Sequence, residues 1–450
     1  MPIQNVEDVK VWMQWRSELE AVVEEELAWR YIRMNIDTTD SSLAKSFQHF
    51  IQTIEPEIAP YHDKFNKKLL HSELVNELDP DYYRIPLRSI RKQIELFREE
   101  NIPLNTQLQS KSQEYGAITG TMAVEYKGKK LTMQQAAKLL KEPDAALRKE
   151  MFEKISSQRL QHKTKLNVLL TELIDLRQQV AKNAGFDNYR DFKFEDLGRF
   201  DYSKEDCFDF HASIKETMVP ITRGFDASQK KELGVEELMP WDTQVDPTGK
   251  KPLKPFETGK ELLEKSIECF SQIDPYFGEC LSIMGKMKHL DLESKQGKAP
   301  GGFNYPLYEI GVPFIYMNAV GSQRDLVTMV HEGGHAIHSF LTRDLELVDF
   351  KSLTSEIAEL ASMSMELISM EHWDIFYKDE HDLVRAKKDQ LKGVLETLPW
   401  VAQIDKFQHW LYEHEHHSDE ERNEAWLDIH HQFGSDVVNW KDNEEALAHM

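Results

Sequence analysis

His331-Glu332-Gly333-Gly334-His335 sets two imidazoles four positions apart with a carboxylate beside the first. On a helix of 3.6 residues per turn, positions i and i+4 share a face about 6 Å apart, so both rings can reach one divalent ion. Glu332 can then take a proton from water at that ion without occupying it, which is the chemistry of a hydrolytic zinc site. The flanks support a helix: residues 324–330 lead into the motif and 336–341 continue it. Two glycines inside a helix cost about 1 kcal/mol each relative to alanine, so the pair predicts close approach of a substrate or of a packed helix.

A hydrolytic zinc site has three protein ligands and one open position. Residues 355–367 are strong helix formers with helical periodicity, and they carry Glu356 and Glu359 three positions apart on one face. An antiparallel return from the motif helix can aim either carboxylate at the imidazole pair. Glu359 is the preferred ligand with Glu356 behind it, although spacing alone leaves both open. Two neutral imidazoles and one carboxylate leave Zn²⁺ net positive, which lowers the pKa of bound water to about 7. His338 reads as a histidine that is packed or that supports a ligand from outside, and Met363, Met365 and Met370 as core filler.

The motif and its surroundings resemble a known family. Gly301-Gly302-Phe303, the run Pro313-Phe314-Ile315-Tyr316-Met317-Asn318, Asp325 with Thr328, and His331-Glu332-Gly333-Gly334-His335-Ala336-Ile337-His338 are similar to the M3 family of zinc peptidases, and within it to the oligoendopeptidase F group. The specific motifs lie between about Gly301 and Leu367; elsewhere the likeness rests on helical texture and segment order. The resemblance selects Glu359 as third ligand, with Glu356 one turn before it. It implies a mainly α fold, a two-lobed helical zincin-type metallopeptidase with a deep channel and a small β region beside the HExxH helix. It also implies one Zn²⁺ per chain held by His331, His335 and Glu359, Glu332 as general base, and short peptides as substrates.

A chain of this length is expected to divide, and the change of texture at Gly116 and Gly120 sets an N-terminal helical lobe, residues 1–115, apart from a catalytic region, residues 116–450. Members of the family continue past the region resembling 439–450 into a segment whose histidine and tyrosines face the scissile carbonyl. Here Glu445 to Met450 reads as mid-helix and the start is abrupt, so a chain truncated at the C-terminus is expected. The alternative reading is an inactive or impaired zinc-binding helical protein lacking those oxyanion groups.

Composition narrows the setting. A net charge of −23 repels phosphate at long range, which disfavours nucleic acid and acidic membrane surfaces as partners. No 18-residue apolar span and no basic-then-apolar leader is present, so a cytoplasmic protein is expected, with oligomeric state open. Cys207, Cys269 and Cys280 are widely spaced and never in a CxxC pair; they read as small buried or half-buried side chains rather than a disulfide framework or Cys-ligated zinc. Gly-x-Ser-x-Gly, Walker-type and dinucleotide glycine fingerprints are all missing.

Elsewhere, long amphipathic stretches predict helices over 6–35, 42–53, 62–78, 87–99 and 145–182, the first with Val11, Trp12, Trp15, Leu19, Val22, Leu27 and Tyr31 at helical spacing and its Trp and Tyr residues as core anchors, and breaks at Pro60, Pro80 and Pro86. Residues 118–133 predict a hairpin turning at Lys127-Gly128-Lys129. The extended run 313–317 predicts an edge strand that could hold a peptide by main-chain hydrogen bonds. His409, His414, His416 and His417, set among acidic residues, read as a solvated helix end, as do His430 and His431.

Overall fold

The computed structural model describes residues 1–449. It is mainly helical, as the periodicity predicts, with five short strands. The chain forms two compact units, each assembled from three segments. One contains Met1–Gly120, Leu176–Arg199 and Phe256–Phe376; the other contains Thr121–Asp175, Phe200–Pro255 and Tyr377–Met450.

In the first unit the opening helix, Val6–Ile36, starts where the Asn5 side chain accepts the Asp8 amide at 3.0 Å, satisfying one of the orphan donors of the first turn. Its buried Ala28 and Ile32 pack on Leu307, Phe314 and Tyr316, so the N-terminal helix covers the small sheet next to the motif helix. The face it buries differs from the expected one. Trp12 and Met13 are interior, but Trp15 is 57% exposed and Val11, Leu19 and Val22 are exposed too, because Arg16 and Glu20 occupy the interior as an ion pair at 2.7 Å. The predicted break at Pro60 also fails: Ser41–His49 continues through a wide turn at Phe50–Ile54 into Glu55–Leu70, with Pro60 inside the helix.

The sheet of this unit has the order Leu290–Glu293, Phe314–Ala319, Phe303–Tyr305, parallel in the first pair and antiparallel in the second. Phe314–Ala319 is therefore the centre of the sheet and not its edge. Phe314 to Met317 are buried on both faces, which is what a continuous apolar run signals when it is not alternating. Phe303–Tyr305 takes the edge position, fixed in register by the ring of Phe303 stacked on that of Tyr316 at 4.7 Å.

In the second unit the hairpin forms as expected, Ala123–Tyr126 against Lys129–Thr132. Its two-residue turn, Lys127-Gly128, has φ of 49° and 72°, the doubly left-handed conformation that fits strand twist and that glycine makes cheap. Helices Lys204–Thr217, Glu380–Glu413 and Asp419–Phe433 share a core of Ile214, Ala402, Ile429 and Phe433. The buried Arg148 is held by Asp242 at 2.7 Å. Among the described residues no helix is long and apolar enough to cross a membrane.

Candidate active site

The motif helix is Gln323–Thr342. Ser322 caps it reciprocally with Asp325: the Asp325 amide donates to Ser322 Oγ at 3.3 Å and the Ser322 amide to Asp325 Oδ2 at 2.7 Å. Asp325 Oδ2 also accepts the Val320 amide at 2.9 Å, tying the helix start to the end of the central strand.

Both motif glycines are explained by packing. A Cβ on Gly333 would lie 2.6 Å from the Phe270 ring of helix Gly259–Ile273, and a Cβ on Gly334 would lie 2.8 Å from Ser362 Cα and 3.0 Å from the Ala361 carbonyl. Ala361 and Ser362 belong to helix Ser355–Ile368, so Gly334 lets the backbone of the carboxylate helix approach the motif helix. Its buried Ser362 donates to Glu359 Oε2 at 3.1 Å.

That close approach brings His331, His335 and Glu359 together. One ligand atom from each lies within 4.8 Å of the other two. His331 Nε2 is 3.3 Å and His335 Nε2 3.8 Å from the Glu359 carboxylate, with the rings at 88° and 4.9 Å between centroids. Ligands sharing a tetrahedral ion through bonds of about 2.0–2.1 Å sit about 3.3 Å apart, so the donor set fits zinc with small movement. Glu356 does not join them; its carboxylate faces Arg199 Nε at 2.9 Å.

Glu366 is the site residue that sequence reasoning missed. Its Oε1 lies 2.7 Å from His331 Nδ1, which places a proton on Nδ1 and leaves Nε2 free for an ion. The signal was available, since Glu366 is seven positions after Glu359 and so on the same helical face. Burial lowers the pKa of His331, but the Glu366 hydrogen bond and the charges of Glu332, Glu359 and Glu366 raise it overall. His335 is lowered, by burial first and then by His331, and the Ala358 backbone hydrogen-bonds it.

Glu332 is 6% exposed, and burial pushes its pKa up to about 7. The positive charge of His331 and an amide hydrogen bond from Asn304 act the other way. Asn304 is the middle residue of the edge strand, and Gly302 is also close: a Cβ there would lie 3.8 Å from Glu332 Oε1. Asn304 lines a cavity of about 380 Å³ together with Leu27, Tyr31, Phe47, Phe303 and Tyr305. Its buried Nδ2 has no hydrogen-bond partner among the described residues.

The remaining expectations divide. Met365 and Met370 are core, whereas Met363 is exposed. His338 is half-buried. His414 and His416 are solvated, but His409 is 4% exposed and His430 is half-buried, its pKa pushed by burial down to about 4. No disulfide forms among the described residues: Cys269 and Cys280 are buried and Cys207 is half-buried.

Mainly helical architecture, a two-histidine motif helix and a returning carboxylate helix define a zincin-like scaffold. Peptidase family M3 matches residues 138–450, and the Peptidase M3 N-terminal domain matches residues 2–97. This chain belongs to Peptidase family M3. It is 24% identical over 287 residues to group B oligopeptidase PepB of Streptococcus agalactiae, covering 63% of this chain and 46% of that protein. It is 22% identical over 209 residues to oligopeptidase PepF of Bacillus subtilis, covering 46% of this chain and 31% of that protein. The chain thus spans about half or less of the length of the curated relatives it matches. Among solved structures, PZ peptidase A with an inhibitor superposes with a TM-score of 0.94 at 25% identity, covering 99% of this chain and 78% of that one. Oligoendopeptidase-F from Enterococcus faecium superposes with a TM-score of 0.60 at 14% identity, covering 99% and 77%.

Proposed function

We propose that this chain carries the catalytic site of a zinc-dependent oligoendopeptidase that hydrolyses short peptides. The observation that carries the reading is the convergence of His331, His335 and Glu359, with His331 oriented from behind by Glu366. Zinc bound there would polarise the scissile carbonyl and acidify water. The chain's own residues do the rest. Glu332 sits one residue from the first ligand in a buried setting that favours holding a proton, so it accepts one from water as the water oxygen attacks the carbonyl carbon. The same carboxyl then delivers that proton to the amide nitrogen as the C–N bond breaks, and no acyl-enzyme is formed.

The edge strand Phe303–Tyr305 supports binding of an extended peptide by main-chain hydrogen bonds, which fixes the scissile bond without reading side chains. The aromatic cavity beside Asn304 has the size and lining for one apolar substrate side chain.

The test is metal analysis followed by cleavage of quenched fluorescent peptides with and without chelator. Chelator-sensitive cleavage that Glu332→Gln abolishes while zinc stays bound is the expected result. Zinc without cleavage would reduce the reading to a metal-binding protein of this fold, and a protein that takes up no zinc would overturn it.

A further inference from the structure

His409 is interior because it faces a second cluster, in the other unit. Cys207 and His211 are four apart on helix Lys204–Thr217, and Asp405 and His409 are four apart on helix Glu380–Glu413. Each pair occupies one helical face, and the faces meet: His211 Nε2 is 2.7 Å and His409 Nε2 3.4 Å from the same oxygen, Asp405 Oδ2. One ligand atom each from Cys207, Asp405 and His409 lies within 4.8 Å of the other two. The two imidazoles are 3% and 4% exposed, with rings 5.8 Å apart, and Phe208 and Phe433 pack on them.

We infer that Cys207, Asp405 and His409 form a second zinc site that bridges these two helices, with water as the fourth ligand and His211 hydrogen-bonded to the Asp405 carboxylate. The donor chemistry is that of zinc: a thiolate, an imidazole and a carboxylate, on two rigid helices, in an apolar surround. His409 Nε2 hydrogen-bonds Asp405 at 3.4 Å, and a zinc ion taking the place of that proton would keep a nitrogen-to-oxygen spacing of about 3.3 Å. The 2.7 Å between His211 and Asp405 is too short for that and is a hydrogen bond, the usual support of a ligating carboxylate. A nucleophilic cysteine triad would orient one imidazole by a carboxylate and turn its other nitrogen to sulfur. Here both rings direct Nε2 at the carboxylate.

Cobalt substitution separates this site from the one in the motif helix, because His331, His335 and Glu359 include no sulfur. Titrating the metal-free full chain with Co²⁺ under a non-thiol reductant should develop a near-ultraviolet sulfur-to-cobalt charge-transfer absorption that saturates at one cobalt per chain. Cys207→Ser, an isosteric change at a half-buried position, should remove the band and one equivalent of bound metal with an unchanged circular dichroism spectrum. Asp405→Asn should weaken cobalt binding at this site at least tenfold, and Glu359→Ala should leave the band intact. A wild-type protein that binds cobalt without the band, binds none, or keeps the band in Cys207→Ser would overturn the inference.

Discussion

Glu366 Oε1 lies 2.7 Å from His331 Nδ1, across 35 residues of sequence. The carboxylate sets the tautomer and the orientation of a ring that is otherwise partly open to solvent. Removing it in Glu366→Ala should lower zinc affinity about 10- to 100-fold, the usual loss for an outer partner of a histidine ligand. Glu366→Gln, which keeps an oxygen acceptor, should lose less. Competition with a chromophoric chelator measures both, and equal affinity in all three proteins would show that His331 needs no such support.

Gly334 and Gly116 should respond to alanine with opposite signs. At Gly334 the added methyl meets backbone, Ser362 Cα at 2.8 Å and the Ala361 carbonyl at 3.0 Å, which cannot swing aside. Overpacking of about 1–3 kcal/mol there outweighs a helix-propensity gain of about 1 kcal/mol. Gly116, in helix Asn101–Gly120, has nothing within 4 Å, so its alanine variant should gain about 0.4–1 kcal/mol. Urea unfolding of the two variants reads the contrast directly.

Metal-free protein should become less stable as pH rises through the range set by Glu332. Its pKa is about 7 in the fold against an ordinary 4.5, so the folded state keeps a proton that the unfolded chain has released. Stability is full below about pH 4.5, falls through about pH 7 and levels off above it. Metal-free Glu332→Gln should therefore match wild type near pH 5 and exceed it near pH 8 by on the order of 1–3 kcal/mol. An equal difference at both pH values would mean that Glu332 ionises normally in the fold.

Local spacing made the motif helix and the shared face of His331 and His335 legible, since i and i+4 geometry needs no tertiary knowledge. Glu359 was legible as one of two carboxylates; the fold turns it toward the imidazole pair and turns Glu356 toward Arg199, with Ser362 packed against Gly334. Glu366 was legible as a carboxylate on the face of Glu359 but not as the partner of His331, and the Cys207 and Asp405 pairs were not legible as partners, because each contact joins segments that only folding brings together. The opening helix misled for a different reason. Counting apolar residues chose the face of Trp15 and Leu19, while the true interior face accommodates Arg16 with Glu20, and Glu25, whose carboxylate accepts the amides of Glu309 and Ile310 at 2.9 Å.

Gly302 tests the role of the edge strand. A side chain there would press on Thr328 Cγ2 and the Tyr316 carbonyl, both 3.3 Å from its Cβ, and would crowd Glu332. Gly302→Val should raise KM and lower turnover with zinc affinity nearly unchanged, because a side chain there meets none of His331, His335 and Glu359. Parallel loss of zinc and activity would place Gly302 in support of the ligands instead.

The identity of the third ligand is tested most directly by zinc content in Glu359→Ala and Glu356→Ala, both in a Cys207→Ser background so that a single site is counted. Glu356→Ala should retain one zinc per chain and Glu359→Ala should retain none after brief chelation. Zinc held by Glu359→Ala and lost by Glu356→Ala would contradict the account at its centre.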